Sequence, residues 1–151
     1  MKRALLFLLL LSAPILAKAS GFLPGSTITG DLYTDAFQAY SDTSTISGWT
    51  SFTTKHVYYK RVGKLVFVWF VLDGTSNSAT TNFTVPYTIS NTVQPVFLTR
   101  SKDNGATIVT GLARGGINTK TVTLNADPAA TAYTASGAKL SAGHFFYETS
   151  D

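Results

Sequence analysis

Among its 151 residues the chain has no cysteine, a single glutamate (Glu148) and two histidines. Without cysteine, neither a disulfide framework nor a thiolate metal site can form. Acid and base groups are sparse. The aspartates are scattered through turns, where their side chains cap backbone groups. His56 and His144 would each need an oriented partner to act as a base, and are expected to be ordinary half-exposed residues beside strands. No Gly-x-Ser-x-Gly elbow offers a nucleophile. Asp73 and Asp103 lack the oxygen-rich spacing of a calcium loop. Ala113-Arg114-Gly115-Gly116 follows a strand and opens no helix, which argues against a phosphate cradle. The expectation is a non-enzymatic protein with no cofactor and no metal, a secreted hydrolase being the last alternative.

The positive charge is concentrated where a folded domain would not need it. Met1-Lys2-Arg3, the apolar run Ala4 to Leu16 broken by Pro14, and Ala17-Lys18-Ala19 read as a signal peptide over residues 1–19, cleaved near Ala19. The run is shorter than the roughly 20 apolar residues of a bilayer-spanning helix, so no stable transmembrane span is expected after cleavage. The chain is then exported, extracellular or periplasmic. Cleavage removes Lys2, Arg3 and Lys18, so 12 Lys plus Arg less 3 leaves 9 against 8 Asp plus Glu. A nucleic-acid partner is discounted on that balance.

What the sequence does have is β pattern. Leu65 to Leu72 is an unbroken apolar run, mostly β-branched or aromatic, closed by Asp73-Gly74. It reads as a central strand buried on both faces, with Phe67 and Trp69 in the core. Such a strand needs a covering layer on each side, hence an all-β antiparallel β-sandwich of jelly-roll type over residues 48–151. Residues 20–47, rich in glycine and large apolar groups, read as an extended arm that docks on its own domain or on a neighbouring subunit. Short strands are expected at Trp49 to Thr54, Val57 to Arg61, Asn82 to Tyr87, Val93 to Thr99, Ala106 to Leu112, Asn118 to Leu124 and Lys139 to Thr149. Gly63 supplies one tight turn, and Asn104-Gly105 a second with the positive φ angles of a primed hairpin. Ala113 to Gly116 is expected as a loop or bulge.

Tyr59-Lys60-Arg61-Val62-Gly63-Lys64-Leu65-Val66, Asp73-Gly74-Thr75-Ser76-Asn77-Ser78, Phe83-Thr84-Val85-Pro86 and the closing stretch through Tyr147-Glu148-Thr149 together resemble the C-terminal domains of bacteriophage tail fibres and related virion host-attachment proteins. The resemblance covers about Trp49 to Thr149. It implies a β-sandwich, usually a homotrimer, that attaches to a host surface and often to its carbohydrate. An export signal departs from that pattern, because tail fibres are assembled in the cytoplasm. The chain would then be either an exported cellular protein sharing the domain or a virion protein that passes a membrane.

Candidate ligand residues follow from aromatic rings and basic groups outside the expected core. Trp49 and Tyr87 lie near strand ends, where an exposed ring can stack on a sugar. Lys55, Lys60, Arg61 and Lys64 form a local basic cluster with Tyr58 and Tyr59 between them. It would suit an acidic glycan or a lipid surface, or simply protect a sheet edge. The ligand set is Trp49, Tyr58, Lys60, Tyr87 and Arg114. The expected function is an oligomeric attachment module for a surface glycan or cell-envelope ligand, the alternative being a structural subunit that assembles by exchange of the N-terminal arm into a fibre or shell.

Overall fold

Alternation, rather than burial on both sides, governs the most apolar strand. In a computed structural model describing residues 36–151, Val66, Val68, Phe70 and Leu72 are wholly buried or nearly so, while Leu65, Phe67 and Trp69, alternating with them, stay exposed. The expectation of two buried faces is therefore corrected. Side chains in a strand point to opposite faces in turn, and only one face is covered by the described residues. The expected signal peptide lies outside the described residues.

Among the described residues nine antiparallel strands form one sheet: β1 (Gln38–Ala39), β2 (Ile46–Ser47), β3 (Trp49–Val62), β4 (Leu65–Ser76), β5 (Asn82–Thr84), β6 (Val96–Lys102), β7 (Val109–Gly115), β8 (Thr121–Asn125) and β9 (Ala138–Glu148). Their spatial order is β1-β3-β4-β9-β6-β7-β8-β5-β2. No helix occurs among the described residues, and none is long and apolar enough to cross a membrane. The sheet curls into a half-barrel, as two observations require. The strands at its two ends, β1 and β2, are separated by only six residues, Tyr40 to Thr45. In addition, Phe70 on β4 meets Phe83 on β5, five places along the order, at 4.8 Å between ring centroids. The curled halves close on Val57, Phe70, Phe83, Val122, Leu124, Phe145 and Tyr147. Burial of such side chains contributes about 2 kcal/mol each, the main favourable term in folding.

Local chemistry explains the connections. Gly63 and Lys64 alone join β3 to β4, since Val62 pairs with Leu65, and Gly63 takes φ +59°, the left-handed value that a tight primed turn asks of its first position. Asn104 and Gly105 both have positive φ, and Ala106 N donates to Asp103 O at 2.8 Å, but the connection runs from Asp103 to Ile108 and is longer than the tight hairpin expected. Ala113 to Gly115 is strand rather than loop. A Cβ on Gly115 would lie 2.6 Å from Pro95 and 2.7 Å from Ile89, so glycine is there to let neighbouring chain approach β7. The described end of the arm docks in cis: β1 pairs with β3 and β2 with β5.

One ammonium is taken into the interior. Lys139 is fully buried, and its Nζ donates to Gly48 O at 2.9 Å, Ser78 O at 2.9 Å and Thr81 Oγ1 at 2.8 Å. It lies 5.0 Å from the Trp49 ring and 4.9 Å from the Tyr133 ring. Desolvation lowers its pKa to about 8. This clamp joins the start of β3, the loop after β4 and the start of β9.

Candidate functional site

The uncovered side of β3, β4 and β9 carries a run of rings. Register puts Trp69 between Tyr58 on β3 and His144 on β9, and Phe67 between Lys60 and Phe146. Directly opposed residues share a face, so these side chains stand side by side. The Trp69 ring is 5.5 Å from Tyr58 and 6.1 Å from His56, and His56 is 5.7 Å from Tyr58. Phe67 and Phe146 are 6.1 Å apart. Trp69 is 41% exposed, Phe67 38% and Phe146 64%. An open groove of about 770 Å³ runs over this face between Phe37, Tyr58, Trp69 and Phe146.

A second groove, of about 670 Å³, adjoins it between the Ser90 to Phe97 stretch and β9, sharing His144, Phe145 and Phe146. Its origin is in the pairing. β6 and β9 are laddered only from Arg100 to Lys102 against Leu140 to Ala142, and both strands run on beyond that point without pairing with each other. Phe97 and Phe145, stacked at 3.9 Å, floor the opening on the core side.

The residues chosen from sequence divide. Tyr58 and Lys60 stand two apart on this outer face. Trp49 does not offer an exposed ring: it is 7% exposed, its Nε1 donates to Lys139 O at 3.4 Å, and Lys139 Nζ lies over its face. The buried ammonium draws it inward. Tyr87 lies at the rim of the core side, half-buried under the Arg61 guanidinium at 4.5 Å, and its carbonyl accepts from the Tyr147 hydroxyl at 3.0 Å. Burial pushes the Tyr147 hydroxyl well above its ordinary pKa, which keeps it a donor. Arg114, opposite Val96 on β7, is half-buried and donates to Asn125 Oδ1 at 3.3 Å.

Trp69 and Phe67, read from sequence as core, are instead the centre of the outer face. The signal for them was in the partner strands. The residues opposite them are Tyr58, Lys60 and His144, which a covered face would not readily hold. Among the described residues, neither His56 nor His144 has a side-chain hydrogen bond, and no group of three or more His, Cys, Asp or Glu is placed to hold a metal ion. The arrangement can stack, exclude water and hydrogen-bond at ring edges.

No family model matches the chain, and neither a curated protein nor a solved structure matches it.

Proposed function

We propose that the chain is a non-enzymatic, exported or virion-associated attachment module that works as a homo-oligomer, on the trimeric pattern of tail-fibre tips, and binds a surface glycan. The facing halves of the curled sheet support a sandwich-like, jelly-roll-related architecture. The observation that carries the reading is the row His56, Tyr58, Trp69 and His144, exposed but for the half-buried Tyr58. Ring faces here stack on the C–H face of a pyranose, while two imidazoles, a phenol and the indole N–H supply hydrogen bonds at their edges. Several weak sites held together give avidity that one site lacks.

A glycan array probed with the full chain tests this. Trp69→Ala is expected to lower binding at least tenfold, with the melting temperature little changed because the ring is exposed. Unchanged binding by the variant refutes the assignment of the site, and wild-type protein that binds no glycan or envelope preparation refutes the function.

The structural-subunit reading is favoured by a different feature. β1 and β2 are two-residue edge strands from the described end of the arm, and so short an edge element exchanges between copies at little cost.

A further inference from the structure

The outer face changes character along its length. The row at Trp69 has polar ring edges, but the next stretch holds Leu65, Phe67, Phe146, Val96 and Leu98, from 38% to 64% exposed and with no polar atom in their side chains. At roughly 200 Å² for a large side chain, these leave on the order of 500 Å² of apolar surface in water on the two sides of the groove between β6 and β9, near the top of what a monomer shows. We infer that a second copy of this chain covers this stretch. The inference rests on the oligomeric part of the function proposed above but uses different residues from the glycan row.

Three observations select a second copy. The first is size. Homomeric interfaces are about two-thirds apolar, so on the order of 500 Å² of apolar surface corresponds to about 800 Å² per partner, the amount a standard interface buries. The second is charge. Lys60 borders the patch on β3, and Glu148, opposite Leu65, borders it on β9. Among the described residues the one ion pair is Lys55 with Asp42, so neither Lys60 nor Glu148 has a partner. The patch is thus self-complementary: across a junction between copies, Lys60 of one faces Glu148 of the next. The third is shape. The groove where β6 parts from β9 is a concave, apolar receptor beside the protruding Phe146, so one surface carries both knob and socket. Lys64 and Arg100 also border the patch, so a lipid surface is the competing occupant, but a purely basic rim would suit it better than one that includes Glu148.

Sedimentation equilibrium of the full chain, with vesicle flotation on phosphatidylcholine–phosphatidylglycerol as a second arm, tests the inference. Wild type is expected as a small oligomer of fixed size. Phe146→Asp is expected to raise the dissociation constant at least a hundredfold while keeping the wild-type circular dichroism. Ile117→Asp, at a 46% exposed position in the β7–β8 turn, leaves it unchanged. Lys60→Glu weakens assembly, and Lys60→Glu with Glu148→Lys restores it, a rescue that a purely structural role does not give. Wild type that is monomeric at all concentrations, floating or not, overturns the inference, as does Phe146→Asp assembling like wild type. The glycan array on Trp69→Ala remains a separate result, because that residue lies outside the inferred contact.

Discussion

Replacing Lys139 by methionine separates two opposing costs that the fold holds in balance. Methionine fills similar space, but it removes the donor from Gly48 O, Ser78 O and Thr81 Oγ1, each left short by about 1 to 3 kcal/mol. It also relieves the burial of a charge. A pKa lowered from 10.5 to about 8 corresponds to about 3 kcal/mol. The donors win. The net loss at pH 7 is about 3 kcal/mol, or about 12 °C in Tm at about 4 °C per kcal/mol for a domain of this size. The pH dependence carries the sign. In the unfolded chain the amine releases its proton near 10.5 and in the fold near 8, so between these values the unfolded state holds more protons and wild-type stability rises with pH. Urea unfolding from pH 7 to 10.5 should show wild type gaining up to about 3 kcal/mol relative to the variant. A Lys139→Met protein as stable as wild type at pH 7, or a difference between the two that stays flat across this range, refutes the reasoning.

Phe70→Ala, at the contact between the two halves of the sheet, should cost about 4 kcal/mol in urea unfolding, because both the transfer term and a residual cavity count. Gly48→Ala should cost about 2 kcal/mol: φ is +102°, and a Cβ would stand 2.9 Å from Thr80 O. A change under 0.5 kcal/mol would contradict that account. Thr99→Val should be neutral or slightly stabilising in thermal unfolding, since the Thr99 hydroxyl is buried without a hydrogen-bond partner.

The all-β class, the Gly63 turn, the Asn104-Gly105 turn and the closing strand were legible because each rests on local pattern. What escaped depends on pairing. Leu65 to Leu72 shows eight apolar side chains whichever face is covered, and the choice became visible only when Tyr58, Lys60, His144 and Phe146 were set beside Phe67 and Trp69. Trp49 looked like a strand-end ring. Its burial comes from Lys139, 90 residues away in the chain. Gly115 read as loop because its reason is contact with Pro95 and Ile89, from a different part of the sequence.

The central claim is that β4 buries one face and presents the other, and collisional quenching of tryptophan fluorescence by iodide tests it most directly. Trp69 is expected to emit as a solvent-exposed indole and to be readily quenched in wild type, and Trp69→Phe should leave only Trp49, which resists the quencher. If all the wild-type emission is blue-shifted and protected in dilute, folded monomer, the strand is covered on both faces and the outer-face account is contradicted.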